Sequence, residues 1–310
     1  MSRVVWPALI GLLLTAACTD DDPDGTSDPD AATAPDGTTG PDAADAIDDR
    51  LPWGTPTLLP AASNDRRNRD ASLSPDGLEL YFTAYFEDGT GGKEIHRAVR
   101  SAVGAPWGTA TRVEELHGGG VSNWGSRLSA DGRTIYFASD RDGGDDRWLD
   151  IYAATRSGPG APWGAPAPVP ALHGDYNEFM ASPCDGGARF VLSSQRGDDG
   201  GIKLYEVIGD QVRALDELND PSPLFVDSTP FLSEDCLTLH FASERNGGRF
   251  QIYVARRDAA NQPFGQPEWL DLGFGTDELT SPWVSADRRH LLVTRWTGSR
   301  SVADVYEAFR

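Results

Sequence analysis

The chain has 310 residues, with 48 Asp and Glu against 27 Lys and Arg for a net charge of −21, and 39% of its residues are apolar. A chain this acidic, whose only lysines are Lys93 and Lys203, is not built to neutralise phosphates, so no nucleic-acid partner is expected. It contains no GxSxG elbow, HExxH helix or phosphate loop, which removes the commonest motif-bearing enzyme classes.

The N-terminus reads first as an address. Residues 1–17 place Arg3 before an apolar run from Val4 to Ala17. That run falls short of the ~20 residues a spanning helix needs and reads as a signal peptide. Ala16 and Ala17 before Cys18 resemble a bacterial lipoprotein signal, although Thr15 stands where that signal usually has Leu. The resemblance implies that Cys18 is lipidated and becomes the mature N-terminus; ordinary secretion with an incidental cysteine is the alternative. The next segment, residues 18–50, holds eleven Asp against one Arg and no large apolar residue except Ile47. It cannot bury enough surface to offset ordering and is expected to be an acidic, disordered tether.

From residue 51 onward the chain repeats itself. Turns recur at Asp76, Asp131, Asp185, Asp235 and Asp287, spaced by 55, 54, 50 and 52 residues, as in "LSPDGLELYFTAY" and "LSADGRTIYFASD". A period near 50 marks units that bury their apolar faces only by stacking on one another. Within a unit, the Asp-Gly turn predicts a hairpin. A third strand such as "LDIYAATR" follows, and then a Pro-bearing outer strand such as "GAPWGAPAPVPAL" (residues 160–172). Cys236 and Arg288 replace the turn glycine in the fourth and fifth units, so those two turns are expected to differ. The last unit stops after a third strand, "DVYEAFR", while residues 51–60, "LPWGTPTLLP", match the outer strands of other units. The N-terminal strand therefore should complete the fifth unit and close a ring.

These turns and strands resemble the WD40-like, TolB-type β-propeller repeat. The resemblance covers residues 51–310 and rests on Ser74–Phe82, Ser129–Ser139 and the third strands at Asp150–Tyr152, Gln251–Tyr253 and Asp304–Tyr306, which follow the family's Asp-Ile-Tyr pattern. It implies an all-β, five-bladed β-propeller of four-stranded antiparallel blades. TolB itself carries a further N-terminal domain and six blades, so its partners are not carried over.

Comparison of the repeats separates residues that build blades from those free for other work. Trp53, Trp107, Trp163 and Phe264 recur in "PWG" or "PFG" and should pack between blades. Arg141, Arg196 and Arg245 recur after second strands and should make structural ion pairs. No metal is expected at His96, His117, His173 or His240, nor at "DRDGGDDRWLD" (residues 140–150), which lacks EF-hand spacing. Candidates remain in loops that a propeller gathers on one face of its channel. Trp124, Trp148 and Trp296 have no counterparts in other blades and are the expected ligand contacts. Asp70, Glu178, Asp227 and Asp277, with Asn123 and Glu278 beside them, are the polar candidates. Cys184 and Cys236 lie beside turns of adjacent blades; an oxidising compartment would allow a disulfide, and buried free thiols are the alternative.

The expected function is a non-catalytic binding module of the bacterial cell envelope, monomeric, cofactor-free, and tethered to a membrane by its N-terminal lipid. Its partner would be an envelope protein or a glycan, and the anchor would place it on the outer membrane, facing either the periplasm or the outside. The alternative is a propeller glycoside hydrolase whose catalytic carboxylates would be Asp70, Glu178, Asp227 and Asp277.

Overall fold

A computed structural model describes residues 51–310 except 64–66, 86–91, 143–148, 198–199, 299 and 301. Residues 1–50, with Cys18, and Trp148 therefore lie outside the described residues. Twenty strands form five four-stranded antiparallel sheets. Blade one holds β2 (Arg69–Leu73), β3 (Glu79–Tyr85), β4 (Lys93–Val99) and β5 (Thr111–Arg112). Blade two holds β6 (Asn123–Leu128), β7 (Thr134–Ser139), β8 (Asp150–Thr155) and β9 (Ala167–Pro168). Blade three holds β10 (Glu178–Cys184), β11 (Arg189–Ser194), β12 (Lys203–Ile208) and β13 (Gln211–Ala214). Blade four holds β14 (Asp227–Leu232), β15 (Thr238–Ser243), β16 (Gln251–Arg256) and β17 (Glu268–Trp269). Blade five joins β18 (Glu278–Val284), β19 (His290–Thr297) and β20 (Val302–Phe309) to β1 (Thr57–Leu58), the first strand of the chain. Thr57 pairs with Glu307 and Leu58 with Tyr306, so the N-terminal strand closes the ring as expected.

The turns are built by one device. Ser74 Oγ donates to Asp76, whose carboxylate accepts the Leu78 N–H, while the Glu79 N–H donates back to Ser74 Oγ. The same three bonds recur at Ser129–Asp131, Ser233–Asp235 and Ser285–Asp287. Cys236 and Arg288 adopt positive φ of 61° and 57° beside 68° and 66° for Gly77 and Gly132. The expectation that those turns differ is thus wrong: the Ser-Asp bonds impose the left-handed residue even on side chains that disfavour it. Blade three, which does have Asp-Gly, is the one that departs, with a 3-10 turn over Asp185–Gly187.

Outer strands are shorter than the sequence indicates; in four blades they span two residues, as in Ala167–Pro168. The "PWG" segment before each one is a latch. Its Gly donates to the carbonyl at or next to the end of the third strand, Gly54 to Phe309, Gly108 to Val99, Gly164 to Thr155 and Gly265 to Arg256, at 2.7–2.8 Å. A Cβ on these glycines would come within 3.0–3.3 Å of those oxygens, which is why the position is Gly. Trp53, Trp107, Trp163 and Phe264 each lie 4.2–4.3 Å under an arginine, respectively Arg310, Arg100, Arg156 and Arg257. Those arginines donate Nε–H to the turn carbonyls of residues 288, 77, 132 and 236. The rings also pack between blades, as expected: Trp163 donates to Tyr81 of blade one at 3.3 Å, Phe264 lies in a buried cluster with Val191 and Leu204 of blade three, and Trp107 packs on the cluster that holds Leu292 and Val305 of blade five. The arginines add contact between blades, Arg156 to Glu79 at 2.6 Å and Arg257 to Glu206 at 2.9 Å.

Blade three has no such latch, and its outer strand follows a turn at Gly209 and Asp210. There Cys184 and Cys236 are bonded, with Cα atoms 5.5 Å apart, stapling blade three to blade four.

Candidate functional site

The innermost strands β2, β6, β10, β14 and β18 surround the channel, and six of the expected loop candidates, Asp70, Asn123, Trp124, Glu178, Asp227 and Glu278, belong to the strands themselves. Trp124 is in β6 and Trp296 in β19, which corrects their placement in loops. Each inner strand carries a register shift near its start. At these bulges Asp70, Thr229 and Ser281 have φ of 57°, 48° and 55°. Backbone strain of this kind clusters where side chains must be aimed. Here it turns Asp70, Thr229 and Ser281 onto one cavity.

That cavity, about 470 Å³, occupies the channel mouth where the inner strands begin. Blade one contributes Arg67, Arg69, Asp70 and Tyr85; blade two Trp124; blade five Ser281, Trp296 and Arg300. The opposite wall, from blades three and four, is largely apolar, with Phe179, Ile202, Val226 and Phe250, and carries Glu244. A second, mainly apolar cavity of about 480 Å³ lies at the hairpin end, lined by Leu73, Leu128, Phe231 and Trp283. Between the two runs Arg127, fully buried, whose guanidinium donates to Ser126 O at 3.2 Å and across the channel to Pro282 O at 3.0 Å. Burial lowers its pKa to about 10, opposed by the Asp70 charge, so it stays a cation at neutral pH.

Among the described residues the mouth is short of negative charge. Asp70 Oδ1 accepts from Ser281 Oγ at 2.5 Å, and Asp70 Oδ2 lies 3.1 Å from Arg69 Nε. The same carboxylate also faces Lys93 and Arg127. Lys93 Nζ sits 3.8 Å over the Trp124 ring and 5.2 Å over Tyr85. Burial first, and then the Arg69 charge, push its ammonium from 10.5 down to about 8, with Asp70 and Asp140 resisting. Arg69 lies 5.6 Å and 5.9 Å from the Trp124 and Trp296 rings. Cations thus occupy the ring faces that the sequence reading assigns to a ligand. Trp296 is buried and donates to Thr280 Oγ1 at 2.9 Å; Trp124 is half-buried and donates to Phe179 O at 3.2 Å.

The other carboxylates are elsewhere. Glu178 pairs with Arg196 at 2.7 Å, Asp227 with Arg245 at 2.8 Å and Asp277 with Arg295 at 2.5 Å. Glu178 and Asp227 are fully buried, and burial, partly offset by Arg196, pushes the Glu178 carboxyl up. Of the four, Asp70 alone lines the cavity. The expected ion pairs form at Arg196 and Arg245, but Arg141 bonds the neutral Asn123 Oδ1 at 2.8 Å instead. Glu278 and Glu244 both bind Arg300, at 2.6 and 2.9 Å. Among the described residues no cluster of His, Cys, Asp or Glu is arranged to hold a metal, and no helix is long and apolar enough to cross a membrane.

Sequence reasoning missed Arg69, Lys93 and Arg127. Comparison of repeats could have found Arg127, whose counterparts before the turn are Ser72, Phe231 and Trp283. Lys93 was visible only as one of two lysines.

No protein-family model and no curated protein matches the chain. Among solved structures it is similar to a TolB described as putative from Agrobacterium tumefaciens, at 15% identity and a TM-score of 0.51, over 79% of this chain and 77% of that one. It is equally similar to an α-L-arabinofuranosidase from Podospora anserina in complex with cellotriose, at 10% identity and a TM-score of 0.51, over 83% and 96%. A hydrolase in complex with xylotriose follows at 9% identity and a TM-score of 0.50, over 84% and 98%. At such identities the likeness shows the fold alone, and that fold is the five-bladed, TolB-type β-propeller.

Proposed function

We propose that this protein is a non-catalytic binding module of the bacterial cell envelope, held at a membrane through a lipid on Cys18 and the acidic segment after it, and that it grips a protein or glycan at the channel mouth. The observation that carries the reading is the mouth itself: a cavity with aromatic side walls, a cationic wall and a largely apolar wall, whose two lining carboxylates, Asp70 and Glu244, are each paired with an arginine. Glycoside hydrolysis, the activity that the sugar-bound neighbours bring to mind, works through two carboxyls about 5 to 9 Å apart across the scissile bond. Glu178, Asp227 and Asp277 are committed to arginines, which favours binding.

Capture of envelope components by immobilised wild type and variants tests this. Trp124→Ala should weaken capture about tenfold or more, since a Trp at a binding centre typically contributes ~2 kcal/mol. Trp296→Ala, being buried, should chiefly lower stability, by ~3 kcal/mol. Glycan hydrolysis by wild type that disappears in Asp70→Asn or Glu178→Gln would replace this reading with the enzyme. The anchor is checked separately: Cys18→Ser should move the chain from the detergent phase to the aqueous phase, and wild type already found in the aqueous phase would refute it.

A further inference from the structure

The channel mouth has two unlike walls and too much positive charge. On the blade-one side Arg69 and Lys93 crowd together, with Arg127 buried below, and among the described residues Asp70 is the carboxylate that faces all three. Of these three, Asp140 reaches Lys93 alone, and it is already held by the Ser122 N–H at 2.7 Å. Arg300 does not add to the excess because Glu244 and Glu278 both hold it. Partly desolvated like charges repel, and a carboxylate brought between Arg69 and Lys93 would relieve that repulsion while making charge-assisted hydrogen bonds. Across the cavity, Phe179, Ile202, Val226 and Phe250 offer a half-buried apolar surface, and the one charge lining that wall, Glu244, is held by Arg300.

Those two walls select a ligand. A pyranose needs an open aromatic face, and the Trp124 and Trp296 faces already carry Lys93 and Arg69. In the opposite wall Phe250 likewise carries Arg300, 4.9 Å over its ring, which leaves Phe179 beside the aliphatic Ile202 and Val226. An amino-acid unit that carries a carboxylate next to a bulky apolar side chain satisfies both walls at once, and Arg127, which spans the channel below, leaves room for an end or a protruding turn rather than a threaded chain. We propose that the mouth captures a carboxylate of a partner protein, presented beside an apolar side chain, with the carboxylate seated between Arg69 and Lys93 and the apolar group against Phe179, Ile202, Val226 and Phe250. This rests on the binding reading above and narrows its partner to a protein.

Two kinds of peptide would present that chemistry: one ending in Leu or Phe with a free C-terminal carboxylate, and one with an internal Asp-Leu or Asp-Phe and both ends capped. Titration calorimetry of the full chain with both, and with their C-terminal amide or Asn-Leu counterparts, tests the proposal and tells the two sources apart. At least one acidic peptide should bind, and its neutral counterpart should bind about tenfold or more weakly, the expected value of a hydrogen bond to a charged group. Arg69→Gln and Lys93→Met should each lose that discrimination, while Lys93→Arg, which keeps the charge, should retain it. Equal binding of acidic and neutral peptides, or stronger binding of a neutral or acidic oligosaccharide, overturns the proposal. Capture of an envelope component that Trp124→Ala weakens but Arg69→Gln and Lys93→Met leave unchanged overturns the carboxylate assignment alone; absence of any capture by wild type overturns the binding module with it.

Discussion

Lys93 shows what a single residue in the wrong dielectric does to the whole chain. Its ammonium falls from 10.5 to about 8 because burial strips its water and Arg69 repels it, more than Asp70 and Asp140 attract it. Between about pH 8 and 10.5 the folded chain has released this proton while the unfolded chain still holds it, so stability gains with rising pH across that window, and below pH 8 the penalty is felt in full. Lys93→Met should therefore raise the melting temperature relative to wild type by more at pH 7 than at pH 10.5. Parallel melts of the two proteins check this, and a difference that is the same at both pH values would mean the ammonium is well solvated. Such a residue is retained against its stability cost when it meets something charged.

Among the elements, blade three is the exception that explains the disulfide. The other four blades fasten their outer strands with an arginine stacked on an aromatic ring and bonded to the turn; blade three has neither the "PWG" segment nor the arginine. The Asp185 and Gly186 N–H groups lean instead on Glu234 of blade four, at 3.2 and 2.9 Å, and the Cys184–Cys236 bond lies beside them. Closing a loop with a sequence separation of 52 is worth about 4 kcal/mol on the chain-entropy account. Reduction, or Cys184→Ser with Cys236→Ser, should lower the melting temperature by roughly 10 °C for a domain of this size. Calorimetry with and without reductant measures it, and an unchanged transition would show that blade packing alone secures this part of the ring.

For the molecule as a whole, closure is the decisive contact. β1 covers the edge of β20, an eight-residue strand, and continues the pairing through Gly54 N–H to Phe309 O and Leu59 N–H to Val305 O, both 2.8 Å. Trp53 lies under Arg310 in the same join. Removing residues 51–60 would leave β20 as a long open edge, strip Arg310 of its ring, and delete buried Leu59 from the core that blade five shares with blade one. A chain lacking these residues should melt more than 10 °C lower and self-associate; light scattering and calorimetry report both, and a melt equal to that of the intact chain would mean the ring does not depend on its closing strand.

The sequence by itself determined the number of blades, their strand order and the closing of the ring, because each follows from local signals: a turn Asp and an alternating apolar strand repeated five times, and an outer strand displaced to the N-terminus. It also singled out Trp124 and Trp296, since a residue absent from the other repeats stands out without any structure, whereas Asp70 was one of four similar carboxylates. Tertiary structure decided what those residues do. The bulges that aim Asp70, Thr229 and Ser281 inward leave no mark in composition, because any backbone can shift register once its neighbours hold it. Asp227 and Glu178 look like Asp70 in the sequence and differ only in having an arginine across the strand pair. The cationic wall is invisible in a chain of net charge −21, since Arg69, Lys93 and Arg127 come from three strands of two blades and become neighbours only when the ring closes around the channel.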